Sequence, residues 1–212
     1  MATQLKIYND ALTLCGERQL TSTSENVEPR HLLDSVWNNG GVNSCLEAGQ
    51  WRFALRAIEL DYTVAVDPTF GYNRAFVKPT DWVATSSLCS DEYFTTPLLQ
   101  YVDEAGYWYA DIDTLYVRYV SNDSNYGTNY SAWPAKFADF AAAHFASKII
   151  LKLTSDEKKF ANVMELRKQY LVEAKNLNAM GDPTQFPPDG SWVNGRRGRS
   201  RGDRGNRGQL IG

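Results

Sequence analysis

The sequence predicts an α+β protein of mainly α class: a helical bundle of about four helices with a small antiparallel β insertion and an extended C-terminal arm. Apolar residues recur at helical spacing near both ends of residues 1–181, and the stretch between them alternates like strands and is broken by Pro and Gly. Residues 194–208, NGRRGRSRGDRGNRG, contain six arginines and no apolar side chain. With 212 residues and 43% apolar content, the chain is long enough for one domain, residues 1–181, and an arm, residues 182–212.

Four helices are predicted, over about residues 3–15, 29–49, 133–153 and 155–180. In the first helix, Tyr8 and Leu12 share one apolar stripe, Thr3 is a candidate N-cap and Gly16 is a candidate stop. The second helix is interrupted by NNGG, residues 38–41, and each glycine destabilises a helix by about 1 kcal/mol. Two alternatives stay open there: one long helix with a weak or kinked middle, or two short helices.

The β insertion is predicted over about residues 52–121. Its clearest signal is LLQYVDEAGYWYA, residues 98–110, in which two strand-like runs flank a turn with Gly106 available for positive φ. The run TLYVRYV, residues 114–120, also alternates. Together these runs predict one antiparallel sheet of roughly three to five strands.

Two junctions after the sheet carry local signals. NDSNYGTNYS, residues 122–131, is polar and is interpreted either as a mobile loop that closes a channel or as a plain connector. Thr154 and Glu157 have the spacing of a capping box, which predicts that Thr154 is the N-cap of the last helix.

No residue is predicted to be catalytic, and the sequence implies no cofactor and no metal. The three cysteines, Cys15, Cys45 and Cys89, lie far apart, which indicates reduced thiols rather than a disulfide framework or a metal site. His31 and His144 are the only histidines, and neither has a Cys, Asp or second His at ligand spacing. His144 lies beside the apolar face of a helix and is interpreted as a packed or half-exposed side chain.

Targeting signals are not visible in the sequence. The N-terminus MATQLKIYND lacks the basic region and the apolar run of a signal peptide. No stretch approaches the roughly 20 apolar residues of a membrane span. We therefore expect a soluble protein that is made in the cytoplasm and has no membrane partner.

Pairs of carboxylates leave an enzymatic alternative open. Such pairs are Asp91 with Glu92, Asp103 with Glu104, and Asp111 with Asp113. A glycosidase needs two acids about 5–10 Å apart, and the aromatic run GYWYAD could stack sugars. Asp103 and Glu104 lie on the predicted hairpin turn, however, where solvated acids are common. The alternative is a tail-associated protein that binds or hydrolyses polysaccharide, with Asp111 and Asp113 as its acids.

Aromatic residues are concentrated in the predicted sheet, and alternation sends them to both of its faces. One face must cover the helices, and the other faces either water or a partner. Tyr- and Trp-rich surfaces are typical of protein interfaces. The hypothesis is a subunit or tail interface formed by Tyr101, Tyr107, Trp108, Tyr109 and Tyr116. A monomer that buries all of these side chains is the alternative.

Several segments, taken in order, resemble one family. They are LCGE (residues 14–17), EPR (28–30), WRFA (51–54), KPTDWV (78–83) and YWYADIDTLYVRYVS (107–121). Over about residues 5–180 the chain resembles the head-to-tail adaptor, or connector, proteins of tailed bacteriophages, which include tail tubular protein A. The matching residues are packing and turn residues rather than active-site residues.

The resemblance implies a helical bundle with a β insertion, so that residues 1–181 form an adaptor domain. It also implies a ring of about twelve copies, located in the virion at the head–tail junction between the portal protein and the tail tube or nozzle. Double-stranded DNA passes through such a ring during ejection. The protein is then made in the cytoplasm of the bacterial host.

The arm has three possible roles. Residues 195–212 have a formal charge of +5, whereas the rest of the chain, with 16 basic and 24 acidic residues, has a charge of −8. A nucleic-acid-binding arm, and with it a freestanding nucleic-acid binder, is one alternative; a solvated tail without a role is another. The resemblance favours an arm that docks on the portal. Its predicted contact residues are Phe186, Pro187, Pro188, Trp192, Arg196, Arg197, Arg199, Arg201, Arg204 and Arg207.

Overall fold

The computed structural model describes residues 2–66, 68 and 71–181 of the chain. The mainly α class with one small sheet, expected from the sequence, is wrong. The fold is mixed α+β, with 46% of the chain helical, 20% in strands, and two three-stranded antiparallel sheets among the described residues. The hairpin that contains Val102–Glu104 was predicted, but its separation into a second sheet was missed, because the further strand of that sheet, Arg74–Val77, is too short to show a clear alternation.

The helical part is formed by segments from both ends of the described chain. The α-helices are α1 (Gln4–Cys15), α2 (Glu28–Val36), α3 (Val42–Glu47), α4 (Ala135–Thr154) and α5 (Glu157–Met180). Both predicted ends of α1 are confirmed, because the Thr3 hydroxyl accepts the Lys6 N–H at 3.2 Å and Gly16 has a left-handed φ of 78°. The α1 helix lies against α4, where the rings of Tyr8 and Phe145 are 6.4 Å apart.

A kink separates α2 from α3. The intervening turn, Trp37–Gly41, is wider than an α-helical turn, and Asn39 and Gly40 leave the helical conformation. Gly40 has a φ of 81°, and a Cβ on Gly41 would lie 2.7 Å from the carbonyl oxygen of Val36. Both glycines of NNGG are therefore needed for the kink. Of the two alternatives for this region, two short helices joined by a kink is the observed one.

The junction between α4 and α5 differs from the predicted capping box. Thr154 is the last residue of α4, and its hydroxyl donates to the carbonyl of Ile150 at 2.9 Å. Ser155 then turns the chain with a φ of 51°. The side chain of Asp156 accepts the N–H groups of Lys158 and Lys159 at 2.9 and 3.2 Å. Asp156 is therefore the N-cap of α5, and the prediction of Thr154 was wrong because α4 continues through it.

The segment WRFA connects the helices to the first strand. Trp51 is buried, and its indole N–H donates to the carbonyl of Cys45 at 3.0 Å. Its ring contacts Phe137 of α4, with 4.8 Å between the centroids. Residues Arg52–Ala54 form one 3₁₀ turn, and Ala54 is fully buried. The entry to the sheets is thus fixed against both helical segments.

Six strands form the two sheets in the described residues. The strands are β1 (Leu55–Asp61), β2 (Arg74–Val77), β3 (Trp82–Cys89), β4 (Val102–Glu104), β5 (Tyr107–Ala110) and β6 (Thr114–Ser121). The first sheet has the order β1-β6-β3 and the second sheet the order β2-β5-β4, all antiparallel. The predicted turn between β4 and β5 is confirmed, with Gly106 at a φ of 86°. Two irregularities in the pairing of β3 with β6 interrupt the alternation of inward-facing and outward-facing side chains along β3.

Two hydrophobic cores result from this arrangement. The first lies among the helices and includes Val120 at the end of β6. The second lies between the two sheets, and its fully buried aromatic residues are Phe76, Trp108 and Tyr119. Because β6 contributes to both cores, it links the sheets to the helices.

Asp81 joins three strands at one carboxylate. It lies between β2 and β3, and its carboxylate forms an ion pair with Arg56 of β1 at 3.0 Å. It also accepts hydrogen bonds from the hydroxyls of Tyr119, at 3.0 Å, and Ser121, both on β6. Burial raises the pKa of Asp81, but the hydrogen bonds from Ser121, Arg56 and Tyr119 outweigh it and hold the pKa below its ordinary value.

The polar segment 122–131 is held by hydrogen bonds at several points. The N–H of Asn122 donates to the carbonyl of Asp81 at 2.9 Å, and the N–H of Gly127 donates to the carbonyl of Ser121 at 3.0 Å. The indole of Trp133 donates to the carbonyl of Gly127 at 2.8 Å. These bonds favour a connector between β6 and α4 over a mobile loop.

Replacing Asp81 by Asn should lower the free energy of unfolding by about 2–3 kcal/mol, because hydrogen bonds to a charged group contribute about 1.5–3 kcal/mol and Arg56 loses its partner. Urea denaturation at pH 7 measures this change. Glu47→Gln makes the same chemical change at an exposed position of α3 and should have an effect within about 0.5 kcal/mol. Equal midpoints for D81N and wild type would contradict the prediction.

The stability difference between wild type and D81N should also shrink in acid. The pKa of Asp81 is lower in the folded protein than in the unfolded chain, where it is about 3.9. Its contribution is therefore fully present above the unfolded pKa and is lost as the pH falls through the folded pKa. Urea midpoints of both proteins between pH 7 and pH 2 test this, and a constant difference would show that ionised Asp81 contributes nothing.

Candidate interaction surface

The outer face of the second sheet presents tyrosine and valine side chains. Residues directly opposite one another in an antiparallel pair share a face, and Tyr107 lies between Val77 and the exposed Glu104, while Tyr109 lies opposite Val102. Val77 is 45% exposed, Val102 is 37% exposed, and both tyrosines are half-buried. We call these four residues the tyrosine face. Its exposed apolar area is of the kind found at protein interfaces.

The opposite face of the second sheet packs on a lysine that lies between two tryptophans. Lys78 follows β2, and its ammonium is 4.1 Å from the ring centroid of Trp82 and 5.6 Å from that of Trp108. Its side chain is only 7% exposed and forms an ion pair with Asp103 of β4. Contact with aromatic faces and one carboxylate compensates for the loss of water around the charge.

Asp103 connects the two sheets through its second oxygen. This oxygen accepts the indole N–H of Trp108 at 3.1 Å and the hydroxyl of Thr85, on β3, at 3.1 Å. Asp103 and Glu104 are both exposed, as expected of turn acids, but the carboxylate of Asp103 is in addition held by Lys78, Trp108 and Thr85. The lysine cluster, Lys78, Trp82, Thr85, Asp103 and Trp108, fixes the orientation in which the second sheet presents the tyrosine face.

The predicted interface residues lie in three different places. Tyr107 and Tyr109 are adjacent on the tyrosine face, with 6.1 Å between their ring centroids, and Tyr101, just before β4, is 37% exposed. Tyr116 lies on the first sheet, where its hydroxyl is 3.4 Å from a carboxylate oxygen of Glu59. Trp108 is fully buried, so its assignment to the interface was wrong: alternation places it on the inner face of β5.

Sequence reasoning missed Val77, Val102 and the lysine cluster. Val77 belongs to a strand of four residues, in which alternation alone gives no signal, and Val102 lies in a predicted strand-like run whose outward face the sequence does not show. Lys78 is part of KPTDWV, but a charged side chain directly before a proline gives no indication that it is buried. The pairing of β2 and β4 with β5 brings these residues together.

The carboxylates of the enzymatic alternative are bound within the chain. One oxygen of Asp111 accepts the backbone and side-chain N–H groups of Asn73 at 2.7 and 3.0 Å. Asp113 forms an ion pair with Arg74 at 3.1 Å. Asp91 accepts the hydroxyl of Thr95 at 2.6 Å, and hydrogen bonds from Thr95 lower its pKa. These acids fix turns of the β region.

The histidines and cysteines do not form a cluster in the described part of the chain. One ring nitrogen of His31 is 2.9 Å from the side-chain oxygen of Asn26. His144 is buried, in agreement with a packed side chain. The three cysteines are free and buried, and burial raises the pKa of Cys15 to about 11 and that of Cys45 to about 12. In residues 2–66, 68 and 71–181 no three His, Cys, Asp or Glu side chains could together hold a metal ion.

The predicted portal-docking residues lie outside the described residues. These are Phe186, Pro187, Pro188, Trp192, Arg196, Arg197, Arg199, Arg201, Arg204 and Arg207. The arm therefore stays a prediction from the sequence.

No protein-family model and no curated protein sequence matches the chain. Among the helices that the structure describes, none is both long enough and apolar enough to cross a membrane. Three features of the chain's own residues bear on function: the tyrosine face, the lysine cluster beneath it and the distribution of charge.

Lys78→Met should lower the free energy of unfolding by about 1–2 kcal/mol, because Met keeps the packing between the tryptophans but leaves Asp103 without its cation. Lys136→Met is the matched control, since its ion pair with Glu173 at 2.7 Å is half-exposed on both sides and solvent screening leaves it with little effect on stability. Denaturation followed by tryptophan fluorescence compares the two variants. A K78M effect no larger than that of K136M would contradict the role assigned to Lys78.

Proposed function

We propose that the chain is a structural ring subunit of a tailed bacteriophage, which joins the portal to the tail and lines the channel through which DNA leaves the head. The ring has about twelve copies and belongs to the head–tail junction of the virion. The subunit acts through surfaces that bind other proteins, and no catalytic residue, cofactor or metal enters the proposal.

The main support for this proposal is where the residues that carry the resemblance to the adaptor proteins lie in the fold. Lys78 and Trp82 belong to the lysine cluster between the sheets, and Asp81 joins β1, β3 and β6. Trp51 fixes the entry to β1 against α3 and α4. The residues that carry the resemblance thus determine packing, as expected of residues that specify a fold rather than an active site.

The tyrosine face is a suitable surface for a neighbouring copy. A closed ring needs two different lateral surfaces on each subunit, because residues of one patch contact residues of another patch on the next copy. Tyr107 and Tyr109 are fixed on a rigid sheet, and tyrosine contributes large contact areas with little loss of conformational entropy. Val77 and Val102 extend the apolar area beside them.

The charge of the chain also supports a channel. Residues 1–194 contain 16 basic and 24 acidic residues and are therefore negative, which disfavours adhesion of DNA phosphates to the wall. The excess of positive charge is confined to residues 195–212, which contain six arginines and one aspartate. In the proposal the arm binds the portal, with Phe186 and Trp192 as apolar anchors and the arginines against an acidic surface.

The two alternative functions have less support. Asp111 and Asp113, the acids of the polysaccharide alternative, already accept bonds from Asn73 and Arg74. The nucleic-acid-binding alternative rests on the arginines of the arm alone. It differs from the proposal in requiring tight binding to DNA with a steep dependence on salt.

The mass of the assembly tests the ring. Wild-type protein, alone or with portal protein, should form a closed oligomer of the 23.9 kDa subunit. The double variant Tyr107→Ser, Tyr109→Ser should weaken each lateral contact at least about tenfold, because interface tyrosines contribute roughly 1–2 kcal/mol each. Native mass spectrometry at matched concentrations measures both. Tyr93→Ser, at a 78% exposed position between β3 and β4, is the control and should assemble as wild type. Monomeric wild type in the presence of portal would reject the ring.

A set of arm variants tests docking on the portal. Deletion of residues 182–212 should leave rings that no longer join portal-bearing heads, as counted by electron microscopy. Phe186→Ser with Trp192→Ser should reproduce the defect, because these residues are the proposed anchors. Replacing the six arginines by glutamine, which keeps the anchors, should weaken joining less. Normal joining by the truncated protein would reject the docking role, and loss of salt-dependent DNA binding as the sole defect would favour the nucleic-acid alternative.

A further inference from the structure

A polar cavity lies beside the kink between α2 and α3. Its volume is about 210 Å³, and its polar wall is formed by Ser35, Asn39, Ser44, His144 and Lys148. The wide turn that the two glycines allow forms one side, and α4 forms the other.

His144 makes this cavity unusual. The residue is 4% exposed, and neither of its ring nitrogens has a hydrogen-bond partner among the described residues. Buried polar side chains almost always have a partner, since desolvation without one is unfavourable. Because the imidazole forms part of the cavity wall, a molecule bound there is in a position to supply the partner.

The charged groups around the imidazole determine which molecule this is. Burial, and then the positive charges of Arg167 on α5 and Lys148 on α4, lower the pKa of His144 to about 4. The residues that α2, the kink and α3 contribute to the cavity, Ser35, Asn39 and Ser44, are uncharged. At neutral pH the imidazole is therefore neutral and keeps one N–H donor. The positive surroundings disfavour a metal cation and favour an anion.

The hydroxyl groups can also donate to an anion. Ser35 accepts a hydrogen bond from the amide of Asn39 at 3.2 Å, so its own hydroxyl hydrogen stays free. Lys148 is exposed at the mouth of the cavity, where its ammonium retains three donors. The volume is sufficient for several groups of the size of a water molecule, at about 30 Å³ each.

We propose that this cavity binds a small oxyanion, phosphate or a carboxylate, through the ammonium of Lys148, an N–H of His144 and the hydroxyl of Ser35. The anion supplies the partner that His144 lacks and lies between α4 and the kink. The site does not depend on the proposed role of the chain in a ring.

The two histidines of the chain allow a direct test by NMR. The ring signals of His144 and His31 are followed at pH 7 while sodium phosphate, sodium acetate or sodium chloride is added at constant ionic strength. We expect a saturable shift of the His144 signal with phosphate, with acetate or with both, and none with chloride. His31 is exposed and is the internal control, so its ring signal should not show a saturable shift when the anion is added.

Two variants of α4 separate specific binding from a general salt effect. Lys148→Met should raise the dissociation constant at least tenfold, because it removes the cation at the mouth. Lys152→Met, at an exposed position one turn further along α4, should leave the constant unchanged. Both changes are on the surface, and thermal unfolding of each variant confirms that it is folded.

The outcomes distinguish the anion and decide the proposal. Saturation by phosphate alone assigns a tetrahedral oxyanion, and saturation by acetate as well extends the site to carboxylates. A shift that grows linearly without saturation, that is equal in chloride, or that persists unchanged in K148M overturns the proposal.

Discussion

The carboxylate of Asp81 is the contact on which the arrangement of the sheets depends. This carboxylate binds Arg56 of β1 and the hydroxyls of Tyr119 and Ser121 of β6. Asp81 itself immediately precedes β3. The carbonyl of the same residue accepts the N–H of Asn122, where the chain leaves β6. One residue thus fixes the three strands of the first sheet at one end. The chain passes from β2 of the second sheet through Lys78 to Asp81. The position of the second sheet therefore also depends on the contacts of Asp81.

The side chains of Lys78 and His144 are both buried, but they have different surroundings. Lys78 has a carboxylate, two aromatic faces and almost no exposure to water, so its charge is compensated within the chain. His144 has neither a carboxylate nor a hydrogen-bond partner among the described residues. The first arrangement stabilises the packing of the sheets. The second leaves donor capacity beside a polar cavity, which is typical of a binding site rather than of a structural contact.

Local signals predicted the parts of the fold that local interactions determine. Thr3 and Gly16 define the ends of α1 within one turn of the chain, and Gly106 defines the β4–β5 turn in the same way. Long-range pairing was not predictable in this manner. The second sheet depends on β2 pairing with β5, although the four residues of β2 give no periodicity.

The candidate surface was predictable only in part, for a related physical reason. Alternation along YWYA separates Tyr107 and Tyr109 from Trp108, but it does not show which set faces the core. That choice is made by Lys78 and Asp103, which are 25 residues apart in sequence and both contact the indole of Trp108. The same distance explains why the sequence did not indicate that Asp103 also binds a buried lysine. A side chain's role in this region is therefore determined by its partners across the sheets.

The two indole hydrogen bonds at the ends of the β region have a mechanical consequence. Trp51 binds the carbonyl of Cys45 where the chain enters the sheets, and Trp133 binds the carbonyl of Gly127 where it leaves them. A module attached at one point can swivel, whereas a module attached at two points resists torsion. The two attachments therefore restrict rotation of the sheets relative to α3 and α4 more than either attachment alone would.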